Sequence, residues 1–148
     1  MQPVQIKIQL LHPNARCPKY ATLYSAGSDL YSIEEIIIPA GERRLVRTGL
    51  KTEIPEGYEM QIRPRSGLAL KHGITLANSI GTIDSDYRNE IGVILQNNGN
   101  SSFHVQPGDR IAQAIIAELP KVTFVITEEL SDTERGEGGF GSTGIRDE

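Results

Sequence analysis

This 148-residue chain has one cysteine, Cys17, so no disulfide can form within it, and a reducing, cytoplasmic setting is the expectation. It has no run of the roughly 18 apolar residues that a membrane-spanning helix needs. Its start, "MQPVQIKIQL", lacks the charged-then-apolar layout of a secretion signal. It has no excess of positive charge either. The net charge is −4, with acid concentrated at the end in Glu128, Glu129, Asp132, Glu134, Glu137, Asp147 and Glu148. Without a basic stripe, duplex DNA or RNA is excluded as a partner, and any nucleic-acid-like ligand should be no larger than a nucleotide. The three histidines, His12, His72 and His104, are scattered. HExxH, CxxC and GxSxG are all missing, which argues against a zinc site or a serine hydrolase.

What is present is mostly strand. "VQIKIQL" sets Val4, Ile6, Ile8 and Leu10 on one face, and "YEMQIRP" does the same with Tyr58, Met60 and Ile62. "IGVILQ", "FHV", "RIAQAIIAEL" and "VTFVI" are rich in β-branched residues and separated by turn signals such as "NNGN" and "PGD". Strands recurring about every 8–12 residues predict an all-β, jelly-roll-like sandwich or barrel. The one helix expected is "SGLALKHG", with Ser66 as cap and Gly73 as stop. Residues 1–130 read as a β-rich domain and 131–148 as a flexible C-terminal arm.

Four stretches carry polar residues that a plain β core does not need. In "AGSDLYS", Asp29 reads by itself as an Asx-type turn residue. Arg65, Ser66 and Gly67 open the expected helix, where free N–H groups, the dipole and a guanidinium fork suit phosphate. A capped helix start beside a surface arginine would look the same. In "ANSIGTIDSDYRNE", Asp84 follows a short strand and is either a turn acid or a general base. The residues after it look like a β-hairpin arm whose backbone could read a flat base edge. The fourth stretch, "RGEGGFGSTG", is half glycine. Gly136 and Gly141 have P-loop spacing, but Ser142 stands where the lysine belongs and no helix can follow.

Together "AGSDLYS", "RSGLALKHG", "GTIDSDYRNEIGV", "GDRIAQAII" and "RGEGGFGSTG" resemble the five ordered motifs of the trimeric deoxyuridine triphosphatases (dUTPases), spanning residues 26–144. The resemblance implies a homotrimer with shared active sites. The first, second and fourth motifs of one subunit meet the third motif of a neighbour, under the arm of the remaining one. It implies Mg²⁺-assisted hydrolysis of dUTP to dUMP and pyrophosphate, which supplies dUMP for thymidylate synthesis and keeps uracil out of DNA. Asp84 would deprotonate the attacking water. Asp29 and Gln113 would act on metal- or phosphate-bound waters, with no protein side chain binding the metal directly. Arg65, Ser66 and Gly67 would hold phosphates. Asn78, Thr82, Ile83, Tyr87 and Gly92 would line the nucleoside, Tyr87 against the deoxyribose. Phe140 would stack on uracil, while Arg135, Gly141, Ser142 and Thr143 would close on the phosphates.

One position departs from the family pattern: Asn89 stands where glycine is usual, and it would have to tolerate a left-handed backbone there. Two other readings compete with this one. A dCTP deaminase shares the β architecture but needs no arm bearing arginine and phenylalanine. A non-catalytic β-sandwich explains the strands but not Asp84, Arg65 and the arm together. Fixing ten arm residues costs roughly 10–20 kcal/mol of conformational entropy, so the arm should order only on its substrate.

Overall fold

The computed structural model describes residues 2–147; Met1 and Glu148, the outer ends of the two expected segments, lie outside the described residues. Twelve strands and one helix follow one another in this order: β1 (Lys7–Leu10), β2 (Lys19–Tyr20), β3 (Ser28–Tyr31), β4 (Ile36–Ile38), β5 (Arg43–Arg47), β6 (Leu50–Glu53), β7 (Tyr58–Arg63), α1 (Ser66–His72), β8 (Ile74–Leu76), β9 (Gly81–Ile83), β10 (Gly92–Asn97), β11 (Phe103–Val105) and β12 (Arg110–Glu118). The fold is all-β with a single short helix, as the strand spacing predicts. Every pairing is antiparallel. The largest sheet has the order β2-β3-β12-β7-β9, and a second has β5-β10-β8.

The alternation read in the sequence is what buries these strands. In β7, Met60 and Ile62 point inward, and in β10 Val93, Leu95 and Asn97 do. The apolar ones join Leu30, Ile38, Val46, Leu50, Ile74, Ile91, Val105 and Ile111 in one core. Burying a side chain of this size stabilises the fold by about 1.5–3 kcal/mol. The expected turns form. At Gln106–Asp109 the Asp109 N–H donates to the Gln106 carbonyl, and Gly108 at φ 88° supplies the left-handed position that lets the chain enter β12.

Three expectations fail locally. Val4 and Leu10 are exposed, so only Ile6 and Ile8 of the first alternating face pack against the core. "VTFVI" forms no strand, and Phe124 is 95% exposed. A strand needs an edge to pair with, and this segment runs away from its own sheets. Ser66 is the first helical residue and not the cap. Arg65 occupies the capping position with extended backbone, and no side chain caps the helix.

The helix is stopped from outside as well as by its own sequence. Gly73 is left-handed, and its N–H bonds back to Ala69. A Cβ at Gly73 would stand 2.7 Å from the Gly99 backbone nitrogen, so the "NNGN" loop packs directly on the helix end. That loop is held by fully buried Asn97. Its amide donates to the Ile38 and Ser101 carbonyls at 2.8 and 2.9 Å, and its Oδ1 accepts from Gly99 N–H at 2.9 Å. Asn97→Ala strands all three backbone groups. It should cost about 2–4 kcal/mol in urea unfolding. A loss well under 1 kcal/mol would contradict this account of the loop.

Candidate active site

Five sequence-predicted residues, Asp29, Arg65, Ser66, Gly67 and Gln113, meet in one cleft of about 370 Å³ that Gly27 and Arg110 also line, among others. The pairing of β12 with its neighbours explains why. Gln113 lies opposite Asp29 on β3 and opposite Arg63 on β7, three residues before the helix start. Asp29 is therefore a strand residue, not the turn residue its short polar neighbours suggest. Its carboxylate is largely buried between two guanidinium groups, with Arg65 Nε at 3.5 Å and Arg110 Nε at 3.8 Å. Gln113 Nε2 donates to the Pro64 carbonyl at 2.9 Å, which ties β12 to the segment entering the helix. Its Oε1 fills the space that a Cβ on Gly27 would take, so glycine is required there for the amide to lie this way.

Sequence reasoning does not single out Arg110 in "GDRIAQ", although it lines this cleft and pairs with Asp29. The pairing of β12 with β3 shifts register between Arg110 and Ala112. This irregularity lets Ile111 and Ala112 both be buried in succession while Arg110 is turned outward toward Asp29. Two cations against one carboxylate leave the cleft with surplus positive charge. Asp29 and Arg110 also face an adjoining cleft of about 540 Å³ that adds Arg16 and Lys19, so the cationic surface continues. The cleft is suited to a multiply charged anion.

The third-motif residues lie elsewhere. β9 pairs with β7 so that Ile83 faces Met60. Asp84 thus leaves the far end of β7 from Arg65, about 16 Å along the strand direction, with β9 about 14 Å across the sheet from β3. Asp84 is exposed and begins a turn closed by Tyr87 N–H donating to its carbonyl at 3.1 Å. Thr82 and Asn78 are exposed, and Ile83 is half-buried. The expected hairpin does not form, because β9 and β10 belong to different sheets, and residues 84–91 are the loop between them. Asn89 is not among the left-handed residues; its Oδ1 accepts from Glu90 N–H. Arg47 closes this loop through two bonds to the Glu90 carboxylate, at 3.0 and 2.9 Å.

Beyond β12, no described residue from 119 to 147 is buried or belongs to a strand or helix. Arg135, Gly141, Ser142 and Thr143 line a concavity of their own, about 550 Å³, with Arg135 Nε donating to the Gly138 carbonyl at 2.8 Å. The Phe140 ring is fully exposed. Thus Asp29, Arg65, Ser66, Gly67 and Gln113 are brought together within the chain. Asp84, Tyr87 and Gly92 form a second group, and Arg135 to Thr143 a third. Among the described residues, no three His, Cys, Asp or Glu side chains converge as metal ligands, and no helix is long and apolar enough to cross a membrane.

A model of the dUTPase family matches residues 13–144. The deoxyuridine 5'-triphosphate nucleotidohydrolase of Nautilia profundicola is 57% identical over 141 residues, covering 95% of this chain and 99% of its own length. The enzyme of the same name from Helicobacter hepaticus is 51% identical over 145 residues, covering 98% and 92%. Among solved structures, the dUTPase of Staphylococcus bacteriophage 80alpha with dUpNHpp superposes with a TM-score of 0.89 at 28% identity, covering 95% of this chain and 99% of that one.

The ion pair that closes the 84–91 loop also carries a pH dependence. The hydrogen bonds from Arg47 hold the Glu90 carboxyl below the usual carboxylate range, and Glu90 in turn raises Arg47. A carboxyl with a lowered native pKa stabilises the fold above its unfolded value, about 4.3, and loses that contribution as pH falls through the native value. Glu90→Gln should therefore be less stable than the wild type at pH 7, with the gap closing in acid. Urea unfolding from pH 7 to pH 3 measures it; a gap that stays constant to pH 3 would contradict the pairing.

Proposed function

The chain belongs to the dUTPase family, and on that premise we propose that it hydrolyses dUTP to dUMP and pyrophosphate by attack of water on the α-phosphorus. The observation that carries this reading is the cleft in which Arg65, Arg110, Asp29 and Gln113 converge at the start of α1. The triphosphate lies there, against Arg65, Arg110 and the N–H groups of Ser66 and Gly67. Asp84 accepts a proton from water, the water oxygen bonds to the α-phosphorus, and the bond from that phosphorus to the bridging oxygen breaks. Pyrophosphate leaves with the electron pair. General-base assistance of this kind is worth about 10²–10⁴ in rate.

Tyr87 lies against the deoxyribose, with Asn78, Thr82 and Ile83 along the nucleoside. Backbone groups of the segment ending at Gly92 hold uracil. Phe140 covers the base, while Arg135, Gly141, Ser142 and Thr143 bring donors to the phosphates and exclude bulk water. One carboxylate and one amide cannot make an octahedral cage, but they fit Mg²⁺ already carried by triphosphate oxygens and waters. Asp29 and Gln113 would hold such waters. The ion, when bound, neutralises charge that develops on the phosphate oxygens. The enzyme works in the cytoplasm, consistent with its lone, exposed thiol.

The active assembly is a homotrimer with sites shared between subunits. Two observations support it. Asp84 lies too far along β7 to reach the phosphates held by its own Arg65. Val122, Phe124, Val125 and Ile126 keep an apolar, β-branched pattern while lying exposed, as a strand does that pairs on another chain. Asp84→Asn should bind dUpNHpp normally but lose turnover by about 10²-fold or more. Arg65→Ala should also be nearly inactive. Co-refolding the two inactive variants in equal amounts should restore about a quarter of wild-type activity, the chance that a shared site draws both intact residues from different subunits. If the mixture stays inactive while forming trimers, the shared site is wrong; near-normal turnover of Asp84→Asn removes Asp84 from the role of base.

A further inference from the structure

The Tyr87 ring stands at the edge of the nucleoside site with 38% of its surface exposed. A ring this exposed can swing about its two side-chain torsions unless its outer end is held. Its hydroxyl, however, donates to the Glu90 carbonyl at 2.9 Å. A wall built this way is as rigid as the residue that accepts the bond.

Residue 90 is held unusually firmly for a loop position. Arg47, the last residue of β5, donates from Nε to Glu90 Oε2 at 3.0 Å and from Nη2 to Oε1 at 2.9 Å. This two-pronged geometry gives direction as well as attraction. The Gly49 N–H reaches Glu90 Oε2 at 3.4 Å. The next residue is anchored too: Ile91 N–H donates to the Leu50 carbonyl at 2.8 Å, and Thr48 Oγ1 donates to the Ile91 carbonyl at 2.6 Å. Arg47 is itself seated, because its N–H donates to Glu34 Oε1 at 3.1 Å.

We propose that Arg47 and Glu90 are positioning residues that lock Tyr87 in place as the wall excluding a 2′-hydroxyl, and so set the discrimination of dUTP from UTP. This rests on the reading that Tyr87 lies against the sugar. Neither residue touches the substrate. The clamp acts through the Glu90 backbone: the carboxylate is pinned, the carbonyl stays where the tyrosine hydroxyl needs it, and the ring cannot yield to an extra oxygen. A ring that yields admits UTP. The Arg47 side chain is half-exposed and open to solvent screening, so the effect of the pair should be moderate.

The test is the ratio of kcat/KM for dUTP to kcat/KM for UTP in the full-length assembled enzyme. Arg47→Ala and Glu90→Gln should each lower that ratio about 3–10-fold, chiefly through KM for UTP. Arg47→Lys, which keeps the charge but not the fork, should lie between Arg47→Ala and the wild type. Tyr87→Phe should lower the ratio similarly, and Arg47→Ala with Tyr87→Phe should do little more than either alone, since both act through one contact. Arg44→Ala removes a neighbouring β5 arginine that pairs with Glu42, and it should leave the ratio unchanged. If Tyr87→Ala lowers the ratio while Arg47→Ala, Glu90→Gln and Arg47→Lys keep it, the clamp is refuted and the role of Tyr87 stands. If Tyr87→Ala itself keeps the ratio, the reading of Tyr87 fails and the clamp with it. Additive losses in the double variant also refute the clamp.

Discussion

β12 is paired along both of its edges, to β3 on one side and β7 on the other, and its register decides where the chemistry stands. In that register Asp29, Gln113 and Arg63 form a row across three strands, and the chain leaving β7 turns at once into the helix that opens with Arg65, Ser66 and Gly67. A slip by one residue would carry Gln113 into the core and Ala112 and Ala114 out of it. The apolar pattern that stabilises the sheet is thus the same pattern that aims the site. The shift at Arg110 is the one departure from regularity, and it is where a cation is delivered to Asp29.

The same sheet order separates Asp84 from the cleft of Asp29 and Arg65 within one chain. β9 occupies the other edge, and antiparallel pairing sends Asp84 out at the end of β7 remote from the cationic cleft. The arm extends from β12 without a buried residue. Three groups of residues, each locally well built, are separated by the fold. In the proposed trimer, neighbouring chains would bring them together, and the exposed apolar side chains of residues 122–126 would give that assembly a driving force.

Much of this was legible in the sequence because it depends on local rules. Alternation marked β7 and β10, and the Pro-Gly turns fell where expected. Gly73 stopped the helix, and Asp84 followed a strand into a turn. The five motifs were legible too. What was not legible depends on partners remote in sequence. Asp29 looked like a turn residue because its neighbours are small and polar, yet pairing to β12 makes it strand. "VTFVI" has strand composition but no edge to pair with in its own chain. The hairpin after Asp84 fails because β10 is drawn to β5 and β8. The ion pair of Arg47 with Glu90 spans 43 positions, and nothing in either local stretch announces it.

The central claim is that water, activated at Asp84, attacks the α-phosphorus of a triphosphate held at the start of α1. Turnover of dUTP with Mg²⁺ in ¹⁸O-labelled water, followed by mass spectrometry of both products, tests it directly. The account predicts one labelled oxygen in dUMP and none in pyrophosphate. Label in pyrophosphate, or no cleavage of dUTP at all, would contradict it.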